Sequence, residues 1–373
     1  MEHYLTGIEI KQLRHLSDIM INLDKQKRQH LLVTGKNGSG KTSLLLAMYR
    51  HLDAIIDKRL EKGHELDLFF NEENDLWSCY RRGDFVMAYF PADRKSQIER
   101  SRGVADVKLS DFYGLDEEPG NILLKYMVHL KTQQSYAKIE SDLQNEDRIQ
   151  KWFERFESAL RILFDDETIK LEYNYKEYDF KIHQSGREAF GFDQLSDGYS
   201  SVIHIVSDLI MRMDKNWILK NNLSQYDVEG IVLIDELESH LHIELQKKIL
   251  PFLTEFFPRI QFIVTTHSPY ILNSILNAKA YDLEKNMELD NLAAYSSEDL
   301  AEAYFDADEY SEELKEKIER YEYLVGLFAI TDEERAERAI LRSELNKISR
   351  EMSGAARDKF EEIEMRRKKV WLK

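Results

Sequence analysis

The chain has one cysteine, Cys79, among 373 residues. An internal disulfide is therefore impossible and a thiolate zinc site is disfavoured, which fits a reducing compartment; Cys79 reads as a core residue. Proline is scarce at 5 and glycine at 15, while 32% of the residues are charged, a balance that points to a helix-rich protein. No stretch supplies the roughly 18 apolar residues of a membrane span. Met1 to Asn22 also lacks the basic start and apolar run of a signal peptide, so the expected location is cytoplasmic. Positive charge is in deficit: 52 Lys and Arg stand against 69 Asp and Glu, for a net charge of −17. That argues against DNA binding through the whole surface and leaves a local basic groove open. Also missing after residue 280 is the set of acidic ligands that a metal-dependent nuclease needs.

What is present centres on Gly35-Lys36-Asn37-Gly38-Ser39-Gly40-Lys41-Thr42. Leu31 to Thr34 reads as a short buried strand and Ser43 to His51 as a helix, so the glycines occupy a strand-to-helix turn. Glycine lets successive backbone N–H groups converge on an anion, and the helix start adds partial positive charge. This is a phosphate-binding loop in which Lys41 reaches the β- and γ-phosphates of a nucleotide and the Thr42 hydroxyl ligates Mg²⁺. Gly35, Asn37, Gly38, Ser39, Gly40 and Ser43 line it.

Ile231 to Ile234 is a second buried strand, and it delivers Asp235 and Glu236 at its C-terminal end, where ligands bind in an open parallel sheet. Asp235 is the expected Mg²⁺ carboxylate, acting through water, and Glu236 the group that polarises the water attacking the γ-phosphate. Gln261 to Thr265 is the next strand and leads to His267, placed to bond the γ-phosphate. Phe85 to Phe90 forms a strand stopped by Pro91, and the polar loop after it makes Gln97 a candidate sensor of Mg²⁺ and the attacking water. Arg94, Lys95, Arg100 and Arg102 cluster in the same loop, as a solvated surface or as a nucleic-acid contact. Leu195-Ser196-Asp197-Gly198-Tyr199 opens a helix to about Met213, and Ser196 with Gly198 makes a second anion site at its start.

This ordered set resembles the ABC-type ATPases of the SMC, RecF and overcoming-lysogenization group over roughly residues 1 to 280. The resemblance implies an α/β fold, an ABC-type P-loop head with an inserted helical and β lobe and C-terminal helices. It implies ATP as substrate with Mg²⁺, and a homodimer or higher oligomer in which Ser196 and Gly198 of one protomer complete the site of the other. Asp197 and Tyr199 depart from the transporter pattern, and Glu238-Ser239-His240-Leu241-His242 is similar to that of bacterial defence-associated ATPases. The implied role is control of a separate effector, a nuclease or toxin, in anti-phage defence; the alternative is a RecF-like repair ATPase that binds duplex DNA. His240 and His242 read as contacts across the dimer rather than as a metal pair.

The expected organisation is a first head segment at 1–62, a lobe at 63–190, a second head segment at 191–300 and a helical region at 301–373. Tyr4 to Ile10 and Ile19 to Leu23 alternate as strands, with Lys11, Arg14 and His15 between them. Leu60 to Tyr80 shows no decisive pattern. Ile149, Trp152, Phe153, Phe156, Leu160 and Leu163 mark a helical core face in the lobe, followed by a hairpin at 169–182. Beyond 300, Leu314, Ile318, Tyr321, Val325 and Phe328 mark one helix, Thr331 to Glu334 a capping box for the next, and Leu341, Leu345, Ile348 and Met352 its face. The Arg366 to Lys369 tail, with Trp371, is a frayed terminus or a dock for nucleic acid or an acidic protein.

Overall fold

Uninterrupted apolar runs, which only a sheet covered on both faces can bury, supply the centre of the structure. It is a computed structural model that describes residues 2–56, 65–72, 75–94, 98–220, 228–289, 292, 300, 312–327, 330–348 and 354–370. The chain divides into two compact units, Met1–Ser297 and Glu298–Lys373.

In the first unit, β1 (Leu5–Leu13) and β2 (Leu16–Asn22) pair antiparallel, as their period-two pattern predicts, and the outer side of β1 takes β4 (Leu66–Phe70). The larger sheet contains β3 (His30–Thr34), β5 (Phe85–Phe90), β8 (Glu229–Ile234), β9 (Ile260–Thr265), β10 (Ala278–Asp282) and β11 (Met287–Leu289), in the order β11-β10-β3-β9-β8-β5. All neighbours run parallel except β11, which turns back on β10. Every residue of β3, β8 and β9 is buried. Register aligns Phe90 with Ile234, Ile234 with Val264, and Val33 with Thr265. The segments that follow β3, β5, β8 and β9 therefore leave the sheet at the same edge.

The helix α1 (Lys41–Ile56) follows the loop after β3, and its buried face (Leu44, Leu45, Met48 and Leu52) joins a core shared with β1, β2 and the strands of the large sheet. The short helix α2 (Leu76–Arg81) and β4 occupy the stretch without a decisive pattern. Cys79 is half-buried against that core. Strands β4 and β5 fall within the 63–190 segment but are built into the three-stranded and six-stranded sheets of the first unit. Sequence spacing cannot reveal such membership, because their partners lie about 60 and 140 residues away in the chain.

The lobe proper holds α3 (Leu123–Glu140) and α4 (Leu143–Phe164), which pack together, then the hairpin of β6 (Lys170–Asn174) and β7 (Asp179–His183). Asp142 caps α4 by accepting from the Asn145 N–H at 3.1 Å, and the predicted aromatic face is buried. The signature helix α5 (Asp197–Lys220) is tied to the lobe by Asp214, which accepts from Trp152 Nε1 at 3.0 Å and from the Tyr126 hydroxyl. It is tied to β5 of the large sheet by Arg212, whose guanidinium bonds the Met87 carbonyl at 3.1 Å while pairing with Asp208. After β8 comes α6 (Ile243–Phe256), and after β9 the single turn α7 (Pro269–Leu272). No helix among the described residues is long and apolar enough to cross a membrane.

The second unit consists of α8 (Glu312–Gly326), α9 (Asp332–Ile348) and α10 (Gly354–Val370) around Ile318, Tyr321, Leu345, Phe360 and Ile363. The predicted capping box forms: Glu334 N–H donates to Thr331 Oγ1 at 3.2 Å and the Thr331 N–H to Glu334 Oε2 at 2.8 Å. Burial pushes the Glu364 carboxyl up, yet bonds from Arg342, Tyr321 and Arg367 outweigh it and hold the group at about 2. Phe328, Met352 and Trp371 lie outside the described residues.

Candidate nucleotide site

The phosphate loop has the backbone its glycines permit: φ is 134° at Gly35, 85° at Gly38 and 103° at Gly40. A Cβ on Gly40 would lie 2.9 Å from Leu16 Cδ1, so the β1–β2 turn closes one side of the loop, whereas space above Gly38 is open. From that turn the His15 ring bonds the Ser39 carbonyl at 3.2 Å. Asn37 and Thr42 are exposed, and Ser43 and Ser39 are buried. Ser39 Oγ has no partner among the described residues. Lys41 is buried, and its ammonium donates to the carbonyls of Gly35 at 2.7 Å and Lys36 at 3.1 Å. Burial lowers its pKa, opposed by Glu236, Glu238 and Asp235.

Asp235, 2% exposed, leaves the end of β8 beside Thr265 at the end of β9. Thr265 Oγ1 donates to Asp235 Oδ1 at 2.6 Å and accepts the Glu236 N–H at 2.8 Å, so one hydroxyl fixes both acidic residues. Glu236 has φ of 45°, a left-handed conformation rare for a residue with a side chain. Its Oε2 accepts from Ser239 Oγ at 3.3 Å. Glu238 accepts from Thr266 Oγ1 at 2.7 Å and from the His267 backbone N–H, which sets the start of the segment after β9. His267 Nε2 is enclosed and has no partner among the described residues. Burial, and then the Lys41 ammonium, pull the imidazole below its ordinary value, so the ring is neutral at neutral pH.

Sequence reasoning missed the residue that holds this turn. Arg94 is not part of a solvated cluster: it is 3% exposed, and its guanidinium donates to four backbone carbonyls. These are Pro91 at 3.0 Å, Asp235 at 2.8 Å, Glu236 at 3.2 Å and Leu237 at 2.9 Å. Burial pulls it down to about 10, against the pull of Glu238, Asp235 and Glu236, and it remains a cation. The signal available was its place three residues beyond the stop of β5, the strand beside β8. Arg100 behaves as expected of a surface residue and pairs with Asp193, and Arg102 is exposed. Gln97 and Lys95 lie outside the described residues.

The structure thus brings Lys41, Asp235, Glu236 and His267 within electrostatic reach of one another. Among the described residues no hydrogen bond links Ser196 or Gly198 to the phosphate loop. Ser196 is exposed, and its carbonyl accepts the Ser200 N–H at 2.8 Å as α5 starts. A Cβ on Gly198 would meet the His240 carbonyl oxygen at 2.7 Å, so only glycine lets the helix start lie against the Glu238–His242 turn. Tyr199 stacks on Phe164, at the end of α4, with ring centroids 4.3 Å apart and an interplanar angle of 4°. His240 and His242 are exposed, and no cluster of three or more metal-ligating side chains occurs among the described residues.

Among solved structures, the SMC head bound to the C-winged helix domain of ScpA aligns at 12% identity over 78% of this chain and 100% of that one, with a TM-score of 0.43. Residues 179–273 match the family described as "AAA domain, putative AbiEii toxin, Type IV TA system". The Septu protein PtuA of Bacillus mycoides (strain KBAB4) is 30% identical over 401 residues, covering 97% of this chain and 53% of that one. The retron Vc95 probable ATPase of Vibrio cholerae serotype O1 biovar El Tor is 29% identical over 267 residues, covering 68% and 48%. The chain spans about half the length of these relatives. Its sheet order, its glycine loop after β3 and its acidic pair after β8 give the chain an α/β P-loop fold, and in sequence it is related to a Septu protein and a retron probable ATPase.

Proposed function

We propose that the chain binds and hydrolyses ATP with Mg²⁺, and that ATP-driven engagement of two heads controls a separate effector, a nuclease or toxin, in anti-phage defence. The convergence of a buried lysine, two carboxylates and a neutral histidine at one sheet edge carries the reading. Lys41 supplies the charge for the phosphates, with the N–H groups of the glycine loop around it. The donor set suits a hard cation that takes oxygen ligands: the Thr42 hydroxyl and the Asp235 carboxylate would hold Mg²⁺, and the proposed role of Gln97 belongs to the same shell. When bound, the ion neutralises charge on the β- and γ-phosphate oxygens. Glu236 takes a proton from the water whose oxygen attacks the γ-phosphorus as the bond to the bridging oxygen breaks. His267, its backbone fixed by Glu238, offers the unpartnered Nε2 to the γ-phosphate; as the Nε2–H tautomer it donates a hydrogen bond to a phosphate oxygen.

The exposure of Ser196 at the start of α5, with no hydrogen bond to the phosphate loop of its own chain among the described residues, supports a composite site in which it serves a second copy. The kinship with a Septu protein and a retron ATPase supports the defence role. The test is Glu236→Gln with ATP and Mg²⁺, followed by phosphate release and light scattering. Turnover should fall at least 100-fold while nucleotide still binds, and the protein should accumulate as an ATP-dependent dimer. Wild-type turnover would overturn the role of Glu236, and a monomer at saturating ATP would overturn head engagement. Affinity capture of the trapped variant from its native host should bring down a stoichiometric protein partner; without one, effector control fails.

A further inference from the structure

The second unit carries a feature that the ATPase reading does not use. A cleft of about 510 Å³ between α9 and α10 is lined by five cations, Arg335, Arg338, Arg342, Lys347 and Arg367, and by no carboxylate. The rest of its lining is Ala339, Ser343 and Asn346. In a chain of net charge −17 such a surface is a local reversal of sign. Two of the cations are fixed in place: Arg342 forks onto Glu364 with bonds of 3.0 and 3.1 Å from Nε and 3.0 Å from Nη2, and Arg367 reaches the same carboxylate at 3.1 Å. One carboxylate thus orders two guanidinium groups and neutralises only one of them. Arg335 contacts Asp332 at 3.4 Å, a pair in which Asp332 is 99% exposed and so screened by solvent. Arg338 and Lys347 have no ion pair among the described residues.

We propose that this cleft binds the phosphodiester backbone of a duplex nucleic acid, without reading its bases. Four of the five cations are arginine, whose planar fork matches phosphate oxygens. Arg338, Arg342 and Lys347 step along α9 by about 6 to 7.5 Å at a helical rise of ~1.5 Å per residue, close to two charges of a strand that carries one per ~3.4 Å of axis. The small floor formed by Ala339 and Ser343 leaves room for a backbone to approach. No aromatic side chain lines the cleft, so the stacking platform that single strands use is absent. An acidic peptide would be expected to bring an apolar anchor, and the lining offers it nothing larger than alanine.

The test is fluorescence anisotropy of the full chain, without nucleotide, against a labelled 20-base-pair DNA duplex at several salt concentrations. Omitting ATP makes the outcome independent of the proposed head chemistry. The wild type should bind with a log–log salt slope of several units, since each phosphate contact contributes about −0.9. Arg338→Glu with Lys347→Glu should weaken binding at least tenfold and reduce the slope by about two. The milder Arg338→Ala with Lys347→Ala should do the same in direction, and a thermal melt matching wild type shows that the fold survives. Scrambling the duplex sequence should change nothing. Absence of binding, or binding untouched by both double variants, would overturn the proposal. A labelled polyglutamate that binds in a variant-sensitive way while the duplex does not would replace it with an acidic-protein site.

Discussion

Arg94 buries a charge to hold four carbonyls, two of them belonging to the acidic pair itself. Its fork suits that geometry because the turn at Glu236 adopts a left-handed φ and turns its backbone oxygens inward. Replacing it with methionine removes a costly buried cation but leaves those carbonyls without a donor, a loss of about 1 to 3 kcal/mol per buried group that stays unmet. Arg94→Met should therefore lower kcat at least tenfold and destabilise the fold by a few kcal/mol, as steady-state kinetics and urea melts would register. Nucleotide KM should change little, since Lys41 and its loop are unaltered. Arg94→Lys keeps the charge with a single point of donation and should recover part of the kcat. An unaltered kcat in the methionine variant would show that the turn holds its shape unaided. The place of the glycine loop after β3 and of Asp235 and Glu236 after β8 was legible from sequence because apolar strand runs and the residues that end them are local. Arg94 was not, since a cation in a polar loop reads the same whether it faces water or four carbonyls.

Helix α5 carries several buried polar groups, among them Asp214, a carboxyl whose ionisation burial resists. Burial raises this carboxyl from 3.8 to about 7, even though bonds from Tyr126 and Trp152 favour the charged form. An acid whose folded pKa lies above its unfolded value binds more protons when folded. Its stabilising contribution is complete below about pH 4 and is lost as pH rises to about 7, at no more than ~1.4 kcal/mol per pH unit. Asp214→Asn keeps an acceptor for both donors and cannot ionise. Thermal melts at pH 5 and pH 8 should show a smaller loss of stability in that variant than in wild type; equal losses would mean that Asp214 does not titrate in this window. The helix itself was legible, because its signature start and apolar face are local. Its polar contacts with α3 and α4 were not, because they join residues 62 to 88 apart in the chain. The same non-locality hid the place of β4 and β5 in the three-stranded and six-stranded sheets, although the apolar run of β5 was plain.

For the molecule as a whole, the exposed Ser196 makes a prediction about assembly. Ser196→Arg adds bulk and charge at the exposed start of α5, at a residue with no hydrogen bond to the phosphate loop among the described residues. ATP binding by the monomer should persist, measured by nucleotide fluorescence, while hydrolysis falls at least tenfold and the ATP-dependent dimer disappears. Full activity in this variant would mean that each head works alone. Within the first unit, the stacked Tyr199 and Phe164 rings join this start to the end of α4, a helix of 22 residues and so about 33 Å long. The opposite end carries exposed Tyr136, Ile139 and Leu143, with Leu143 at 73%. The α3–α4 hairpin therefore has an exposed apolar tip at one end and a ring stack onto the start of α5 at the other. The apolar tip and the stacked rings thus lie at opposite ends of α4, about 33 Å apart, with the rings beside the glycine that abuts the His240 carbonyl.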